Sequence, residues 1–496
     1  MAPVSAAEHL ILVRLSAEVT IKSRRTRNAF MRRLLRNMRD ALDSVEAAGE
    51  ITSEWGRVFV RTSSPAALPA LARVFGISSL SVIDRTVPAD LDAIEAAALE
   101  LYPERVRDRR FAVRARRTGQ HPFSSKDVEI RVGAALDPFA ARVDLSDPEV
   151  TIRVEVRNQE AYLFEGRTNA TGGLPLGVEG RAVALISGGW DSAVSAWLML
   201  KRGIELDYVF CNLGGDAYER AVVQVAKVLA DEWSFGSRPR LHVVDFGEPL
   251  RDLREKTRES YWQLVLKRIM YRVGSRIGAE LGAEAIITGE AVGQVSSQTL
   301  TNLRALEPAA ELPLFRPLLG FDKSEIIERA RDIGTAALSE QVKEYCAIAP
   351  GKPVTAAKEE AVAREEARLD PALLETAVAE RRVLDLRALT PSDLVGPYLF
   401  IEDVPEDAVV IDCRPAAQYR ALHLAGAENR EEWDLLRGYK RLDRDPTYVL
   451  YCAHGIQTAY LAEKMQRAGY EAYSFKGGLR GILGWAEHNG RPVHGR

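Results

Sequence analysis

From residue 181 onward the sequence alternates between short apolar runs and amphipathic stretches, and this alternation limits the folds open to the chain more than any other feature. The run RAVALI (181–186) is typical of a buried strand, and SAVSAWLMLKRG (192–203) is typical of a helix that ends at Gly203. Three further runs have strand composition: LDYVFCNL (206–213), RLHVVDF (240–246) and AEAIITGE (283–290). Strands that alternate with helices predict a doubly wound parallel sheet with helices on both faces.

A chain of 496 residues is long enough for about three domains of ordinary size. Apolar residues make up 46% and charged residues 28%, which excludes a collagen-like, a disordered and a disulfide-scaffold chain. The apolar runs fall well short of the ~20 residues that a membrane helix needs, and MAPVSAAEHL at the N-terminus has no signal-peptide pattern. The four cysteines, Cys211, Cys346, Cys413 and Cys452, form no CxxC pair, which gives a cysteine zinc site or an iron–sulfur site little support. We therefore expect a cytoplasmic protein with reduced thiols and no membrane partner.

Two basic runs stand out against a formal net charge of −3. Residues 22–39 hold eight basic residues and no acid, and residues 105–117 hold seven basic residues and one acid. A solvated helix face explains many such runs, but two in one N-terminal region favour a surface that binds a phosphate backbone. Aromatic residues are sparse in both runs, so the pattern favours shape recognition of a folded RNA over base stacking. The residues predicted to contact RNA are Lys22, Arg24, Arg25, Arg114, Arg116 and Arg117.

The segment SGGWDS (187–192) joins the first strand of the alternating region to its first helix, which is where open α/β sheets bind phosphates. Gly188 and Gly189 allow a tight turn and a close approach of the backbone to a phosphate. Ser187, Ser192 and the amides at the start of the helix offer hydrogen-bond donors to an anion. The lysine of the GxxxxGK[ST] motif is missing, so transfer of a γ-phosphate is not indicated. The motif resembles the PP-loop of ATP pyrophosphatases, which cleave ATP between the α and β phosphates; a glycine-rich turn without a ligand is the alternative.

The segment YCAHGIQT (451–458) occupies a second strand-to-helix junction near the C-terminus. Cys452 would face the helix N-terminus, where amides and the helix dipole stabilise a thiolate. The segment resembles the active-site loop of a rhodanese, as do IDCRPAAQY (411–419), HLAGAEN (423–429) and FKGGLRGILGW (475–485). Gln457 stands where the commonest rhodanese loop has arginine, so stabilisation of a persulfide must depend more on backbone amides. Thr458 stands where a phosphatase needs arginine, which argues against phosphatase activity; a degenerate rhodanese fold without activity is the alternative.

Three other reactive side chains near these motifs have simpler interpretations. Cys413 lies inside a buried strand pattern, and Cys211 ends a strand of the predicted parallel sheet. Both are predicted to be small core residues. His454 is predicted to be a polar group that stabilises its loop rather than a catalytic base.

Further segments narrow the family. EVTIKS (18–23), FAVRARRTGQHPFSSKDVEIRVG (111–133), TGEAVGQVSSQTLTNL (288–303) and EYCAIAPGKP (344–353) together closely resemble the tRNA 4-thiouridine synthetase family. The resemblance runs through nearly the whole chain and implies a multidomain α/β protein with α+β modules at its N-terminus. The implied parts are a ferredoxin-like domain (1–62), a THUMP RNA-binding domain (63–167), a PP-loop domain (168–355), a charged helical linker (356–396) and a small α/β rhodanese domain (397–496).

The resemblance also implies the residues of the nucleotide site. These are Leu185, Ile186, Ser187, Gly188, Gly189, Asp191, Ser192, Lys267, Gly289 and Gln298. Lys267 can neutralise phosphate charge, and Gly289 permits a close approach to the nucleotide. Asp191 could hold Mg²⁺ against the pyrophosphate oxygens, because this hard ion prefers oxygen ligands. The alternatives are a surface lysine at Lys267, a loop cap at Gln298 and a helix-start role for Asp191.

The family presents the uridine at tRNA position 8, and our hypothesis is that ATP adenylates the C4 oxygen of this uridine, so that AMP becomes the leaving group. The implied catalytic residues are Cys452, Cys346 and Asp191. A cysteine desulfurase would load Cys452 with a persulfide, whose terminal sulfur attacks C4 directly or is freed as sulfide by Cys346. Both routes end in a Cys346–Cys452 disulfide that a cellular thiol reductant reopens. The two cysteines lie in different domains, so the rhodanese domain must dock onto the PP-loop domain, which the linker 356–396 would permit.

Two other functions stay open. The rhodanese domain alone could pass sulfur to a carrier protein for thiamine thiazole synthesis, and members of the family can do both. The chain could also be a non-catalytic RNA-binding adaptor, against which the intact SGGWDS motif and the pair of Cys346 and Cys452 argue. The sequence leaves the oligomeric state open, including a homodimer.

Overall fold

The computed structural model describes residues 8–54, 57–213, 215–340, 353–390, 393, 399–453 and 455–495. The chain divides into two compact units. The first unit comprises Met1–Arg27 and Ala41–Gly173, and the second comprises Asn28–Asp40 and Leu174–Arg496. Among the described residues, none of the helices has both the length and the apolar composition that a membrane crossing requires.

The first unit contains two five-stranded sheets. Its strands are β1 (His9–Leu15), β2 (Gly49–Glu54), β3 (Arg57–Thr62), β4 (Ile77–Ile83), β5 (Arg85–Pro88), β6 (Arg110–Thr118), β7 (Arg142–Val143), β8 (Val150–Arg157), β9 (Glu160–Phe164) and β10 (Thr168–Asn169). The helices of this part of the chain are α1 (Ala17–Thr20), α2 (Arg24–Ser44), α3 (Ala67–Ala72), α4 (Leu91–Leu101), α5 (Pro103–Val106) and α6 (Ser125–Leu136). One sheet has the strand order β10-β4-β1-β3-β2, and the other has the order β5-β9-β8-β6-β7.

The order of the strands follows from their apolar content. β1 is buried from Ile11 to Leu15, and it pairs antiparallel with β3 on one side and β4 on the other, the position that a continuously apolar strand favours. In the second sheet β6 runs parallel to β8. Helices α4 and α6 cover one face of this sheet, where Ile94, Val128 and Ile152 join one buried cluster. An α+β module is therefore confirmed for this region.

A buried carboxylate joins the two sheets of the first unit. Glu155 on β8 accepts hydrogen bonds from Arg14 on β1 at 3.4 Å, from Arg57 on β3 at 3.0 Å and from Arg157 at 2.6 Å. Burial opposes ionisation of Glu155, but the surrounding arginines hold its pKa below the usual value. Burial also lowers the pKa of Arg14 to about 10. Because a buried charge without partners is costly, this cluster fixes how the two sheets pack.

The second unit begins with a six-stranded sheet of order β15-β14-β11-β12-β13-β16. Its strands are β11 (Arg181–Leu185), β12 (Glu205–Asn212), β13 (Arg240–Asp245), β14 (Ile286–Ile287), β15 (Leu314–Phe315) and β16 (Arg382–Asp385). Its helices are α7 (Trp190–Lys201), α8 (Gly215–Trp233), α9 (Gly247–Lys256), α10 (Trp262–Leu281), α11 (Leu300–Leu306), α12 (Lys323–Asp332), α13 (Ala336–Ser339), α14 (Glu359–Glu366) and α15 (Pro371–Ala379). The first five strands are parallel and β16 is antiparallel to β13, so the predicted doubly wound parallel sheet is confirmed.

The described part of the predicted linker 356–396 is instead built into this sheet domain. Its two helices, α14 and α15, do form, but Val362 and Val378 are buried in the same cluster as Val273 of α10. Glu366 pairs with Arg268 at 2.6 Å, and β16 then adds an edge strand to the sheet. The prediction of a linker is wrong for these residues, because the high charge content of the segment outweighs the few apolar residues that pack in the core.

The second unit ends with a smaller sheet of order β17-β22-β21-β18-β20. The remaining strands are β17 (Phe400–Ile401), β18 (Val409–Asp412), β19 (His423–Leu424), β20 (Glu428–Asn429), β21 (Tyr448–Tyr451), β22 (Ala472–Phe475) and β23 (Val493–His494). The remaining helices are α16 (Ala416–Ala421), α17 (Glu432–Gly438), α18 (Ile456–Arg467) and α19 (Gly478–His488). The five strands are parallel, and β19 pairs separately with β23. Buried clusters cover both faces, so this sheet has the two-sided core of a small α/β domain.

Candidate active site

The glycine-rich loop lies between β11, which ends at Leu185, and α7. Gly188 has φ +77°, a left-handed conformation that glycine adopts without strain, and it turns the chain into the helix. The Ser187 N–H donates to Ser192 Oγ at 3.2 Å, and the Ser192 hydroxyl donates to the Gly189 carbonyl at 3.0 Å. Ile186 is buried beside the loop. The loop is thus held in one shape just before a helix N-terminus, the position that an anion favours.

Asp191 lies in the first turn of α7, and its carboxylate is already paired. Lys323 Nζ lies 2.9 Å from both carboxylate oxygens, and the Gln294 amide donates to Oδ2 at 3.0 Å. Lys323 Nζ also lies 5.2 Å from the centre of the Trp190 ring. Neither Lys323 nor Gln294 could be predicted from the sequence, because they come from α12 and from the segment after β14, and only the tertiary fold brings them to the loop. A helix-start role alone does not explain these contacts, since the N-cap position of α7 is Gly189.

Gly289 follows β14 and lies against the first turn of α7. A Cβ atom added there would lie 2.7 Å from the Ser192 nitrogen and 2.7 Å from the Asp191 carbonyl carbon. The Ser195 hydroxyl donates to the Thr288 carbonyl at 2.7 Å and holds the same two segments together. The close approach that this glycine permits in the structure is therefore to the backbone of α7, whereas a close approach to a nucleotide stays a prediction.

Lys267 on α10 belongs to a buried ionic network. Its Nζ lies 2.6 Å from Glu290 Oε1, and the other carboxylate oxygen accepts from the Tyr271 hydroxyl at 2.6 Å and from Arg316 Nε at 2.8 Å. Burial opposes ionisation of Glu290, but Lys267, Tyr271 and Arg316 lower its pKa to about 2. Lys267 is thus not a free surface lysine. Glu290 stands in the TGEAVGQ segment, but its role could not be predicted from the sequence, because nothing local distinguishes it from a surface glutamate.

Two side-chain polar atoms, one in this network and one in the segment after β14, are buried without a partner among the described residues. The side-chain oxygen Oε1 of Gln298 is one, and Nη2 of Arg316 is the other. The backbone of Gln298, not its side chain, closes the loop, since its carbonyl accepts from the Gly293 N–H at 2.9 Å. A buried polar atom without a partner is costly, so each of these atoms is suited to a ligand or an ordered water.

Cys452 follows β21 and begins the second candidate loop. It is 3% exposed, and its Sγ accepts a hydrogen bond from the Gly455 N–H at 3.2 Å. Thr458 Oγ1 lies 3.6 Å from the sulfur. Gly455 has φ +80° and is the N-cap of α18, so the sulfur lies where backbone amides and the helix dipole stabilise a negative charge. His454 lies outside the described residues, and so does the side chain of Gln457.

A pair of glycines covers this loop from the other side. Gly478 has φ +57°, and a Cβ atom added there would lie 2.6 Å from the Cys452 carbonyl oxygen and 2.7 Å from the Gly455 nitrogen. The Leu479 N–H donates to the Cys452 carbonyl at 2.8 Å. The FKGG segment therefore packs its backbone directly on the thiol loop and fixes its shape.

The other cysteines take different places. Cys211 and Cys413 are buried in apolar clusters, as predicted for core residues. Cys346 lies outside the described residues, so its predicted role stays a prediction. Within the described ranges, no group of three or more His, Cys, Asp or Glu side chains is placed to hold a metal ion.

The predicted RNA-binding residues lie on the first part of the chain. Arg24 and Arg25 are exposed at the start of α2, Lys22 precedes them and is half-buried, and Arg114, Arg116 and Arg117 are exposed on β6. Three of the four other arginines of the 105–117 run pair with carboxylates: Arg105 with Asp84, Arg107 with Glu104 and Arg110 with Asp147. The basic run 22–39 also contains an arginine with a structural partner, since Arg33 pairs with Glu205.

One further arginine joins this surface. Arg153 of β8 lies opposite Arg114 of β6. Burial and the nearby Arg167, Arg114 and Arg116 lower the pKa of Arg153. Its Nε has no partner among the described residues. The structure therefore groups arginines on this sheet. Arg153 could not be predicted from the sequence, because parallel pairing of β6 and β8 brings it there from a distant segment.

Four family models match the chain. They are the ThiI ferredoxin-like domain at residues 10–81, the THUMP domain at 88–164, the thiamine biosynthesis protein ThiI at 177–370 and the rhodanese-like domain at 400–484. Their order along the chain agrees with the multidomain α/β class that the sequence predicts.

Curated relatives match nearly the full length. The tRNA sulfurtransferase of Desulfurococcus amylolyticus is 39% identical over 471 residues, which cover 94% of this chain and 97% of that protein. The tRNA sulfurtransferase of Pyrobaculum aerophilum is 38% identical over 94% of this chain and 96% of its own. Among solved structures, a 4-thiouridine synthetase–RNA complex with bound ATP is 30% identical, with a TM-score of 0.67 over 76% of this chain and 99% of that chain.

Proposed function

The chain belongs to the ThiI family, whose curated relatives are tRNA sulfurtransferases, and from this membership we propose that it is a cytoplasmic enzyme that converts the uridine at tRNA position 8 to 4-thiouridine. The observation that carries the proposal is the thiol of Cys452, held at a helix N-terminus in the same chain as the glycine-rich loop. Adenylation needs the loop, and sulfur transfer needs the thiol. An RNA-binding adaptor would need neither of these geometries.

The first step is activation of the uridine by ATP. The C4 oxygen of uridine attacks the α-phosphorus, pyrophosphate leaves, and AMP becomes the leaving group at C4. The loop before α7 favours the phosphates, and the cations proposed to neutralise them are Lys323, which is paired with Asp191, and Lys267, which is paired with Glu290. Each lysine is paired with a carboxylate in the structure, so a phosphate must either bind the lysine together with that carboxylate or displace the carboxylate.

Magnesium would enter with the triphosphate. The carboxylate of Asp191 beside the loop is an oxygen donor that fits this ion, and the described residues offer no larger cluster of ligands. Such an ion would therefore be held mainly by phosphate and water oxygens, as Mg²⁺ often is. Bound there, it would offset phosphate charge.

The second step is sulfur transfer. A cysteine desulfurase loads Cys452 with a persulfide, which the Gly455 N–H and the start of α18 are placed to stabilise. The terminal sulfur attacks C4 and AMP leaves; the Cys346 thiol then cleaves the remaining sulfur–sulfur bond. Alternatively, Cys346 first releases the terminal sulfur as sulfide, which attacks C4. Both routes give a Cys346–Cys452 disulfide, and a thiol reductant restores the two thiols.

The domains must meet for this transfer. Residues 359–387 pack on the sheet domain, so we propose that docking of the rhodanese domain depends on the part of the predicted linker that follows them. The arginines of β6 together with Arg153 are the surface proposed to hold the tRNA backbone.

The test incubates unmodified tRNA with the full chain, ATP, Mg²⁺, cysteine and a cysteine desulfurase, and measures nucleosides by mass spectrometry. The wild type should form 4-thiouridine, and Cys452→Ala should form none while still releasing pyrophosphate. Cys413→Ala, a buried cysteine in the same domain, serves as the matched control and should retain activity under reducing conditions. Formation of 4-thiouridine by Cys452→Ala, or its absence from the wild type, would contradict the proposal.

A second function is favoured by one observation. The hydrogen bonds that the structure shows around Cys452 come from Gly455, Thr458 and Leu479, all within the C-terminal domain. That domain is therefore equipped to pass sulfur to a carrier protein for thiamine thiazole synthesis without the PP-loop domain. Persulfide transfer to such a carrier by a variant that lacks pyrophosphate release would support it, and no transfer would exclude it.

A further inference from the structure

A second cysteine ends the strand beside Cys452. β18 and β21 are parallel neighbours, and Asp412 lies opposite Tyr451, so the next residues, Cys413 and Cys452, lie side by side. The Cys413 N–H donates to the Tyr451 carbonyl at 2.8 Å and continues the ladder to this point. Neighbouring strands are ~4.8 Å apart, which is inside the range of Cα separations that a disulfide spans.

The two side chains also share a face of the sheet. Cys413 and Cys452 belong to the same buried cluster as Ile411 and Leu450, whereas Val449 joins the cluster on the opposite face. Side chains alternate between faces along a strand, so this assignment follows from the register. Both thiols are free in the structure.

A carboxyl group completes the cluster. The Glu432 N–H donates to the Cys413 carbonyl at 3.1 Å, and Glu432 Oε1 is buried without a partner among the described residues. Burial raises the pKa of Glu432 to about 8. Burial raises the pKa of the Cys413 thiol well above its usual value, and the neighbouring Cys452 and Glu432 add to this effect. Cys413 is 4% exposed, so its sulfur is shielded from solvent, and Cys452 is the neighbouring thiol in the same cluster.

We propose that Cys413 is a resolving thiol for Cys452. Hydrogen peroxide oxidises the Cys452 thiolate to a sulfenic acid and is reduced to water. The Cys413 sulfur then attacks the Cys452 sulfur, hydroxide leaves with the proton of Cys413 as a second water, and a Cys413–Cys452 disulfide forms. A dithiol reductant restores both thiols. The disulfide keeps Cys452 from irreversible oxidation to a sulfinic acid and blocks sulfur loading until it is reduced. This chemistry needs the reactivity of Cys452 but neither ATP nor tRNA.

The test uses the full chain with Cys346→Ser, so that the disulfide of the proposed catalytic cycle cannot form. The protein is treated with hydrogen peroxide, alkylated and digested with trypsin without reduction. The expected product joins peptide 388–420, which holds Cys413, to peptide 445–464, which holds Cys452, and dithiothreitol separates them. Cys211→Ala in the same background is the matched control and should leave this product unchanged.

A second variant tests the protective role. Cys413→Val keeps an apolar side chain in the buried cluster, and it should accumulate the sulfinic acid of Cys452 about tenfold faster than the parent. Cys413→Ala repeats the measurement if valine disturbs the fold. Equal rates of sulfinic acid formation in parent and variants, or a disulfide from Cys452 to Cys211 instead, would overturn the proposal. If the protein forms the linked peptide but makes no 4-thiouridine, the role of Cys413 is supported and the proposed function is contradicted.

Discussion

At the scale of single residues, the pairing of Lys323 with Asp191 gives the sharpest expectation. Lys323 is a cation beside the loop that could not be predicted from the sequence. Its side chain is 36% exposed, so its loss should not unfold the domain. We expect Lys323→Gln to slow ATP-dependent pyrophosphate release about 100-fold, the usual effect of removing one group that stabilises a transition-state charge. Lys358→Gln, at an exposed lysine before α14, should change nothing. A Lys323→Gln enzyme with the wild-type rate would show that this lysine serves only the fold.

The buried carboxylate of Glu290 gives an expectation for pH. Its pKa is lowered from 4.5 to about 2, so its stabilisation is complete above pH 4.5 and is lost as the pH falls toward 2. The shift corresponds to about 3 kcal/mol of local stability. Glu290→Gln should destabilise α10 by about this amount and remove the acid dependence, because Lys267 and Arg316 lose their shared partner. Hydrogen exchange of peptides from α10 measures both effects, and Glu284→Gln, at an exposed site nearby, is the control.

Single residues also show what sequence could and could not predict. The positions of Ser187, Gly188 and Cys452 between a strand and a helix could be predicted because the signal is local: a strand, a turn and a helix start within ten residues. Lys323 and Glu290 were missed because their roles exist only after distant segments meet. A lone lysine or glutamate carries no signal of its partner, and without the fold each looks like a solvated surface residue.

At the scale of elements, the contact between α19 and the thiol loop can be tested with two glycines of one helix. Gly478→Ala would force a Cβ atom to within 2.6 Å of the Cys452 carbonyl oxygen, whereas an alanine at Gly484 meets nothing within 4 Å. We expect Gly478→Ala to reduce thiosulfate-to-cyanide sulfur transfer at least about tenfold by displacing the loop. Gly484→Ala should keep full activity and add about 0.5–1 kcal/mol of helix stability. Equal activity of the two variants would show that the loop does not need this cover.

Elements were predicted more reliably than their roles. The parallel sheet followed from alternation, since four apolar runs separated by helices leave few other topologies, whereas the two-residue strand β15 was not predicted. The segment 356–396 was misjudged because composition reports solvent-facing charge, whereas two valines and one edge strand decide where it packs. Short edge strands such as β16 carry too few residues for a period-two pattern to be recognised.

At the scale of the whole molecule, a net charge of −3 conceals a group of arginines on β6 and β8, in which Arg153 lies near Arg114 and Arg116. Binding of tRNA through phosphates should release counterions, so affinity should fall steeply with salt. Reversal of Arg114, Arg116 and Arg117 to glutamate should weaken tRNA binding and reduce the slope of log affinity against log salt by about 0.7–0.9 for each phosphate that is no longer neutralised. Arg131→Glu is the control, because Asp92 and Glu95 already neutralise this exposed arginine. Filter binding over a salt series distinguishes the outcomes. An unchanged slope in the triple variant would assign tRNA binding to another surface. An equal loss of affinity in Arg131→Glu would show that the change in net charge alone explains the effect.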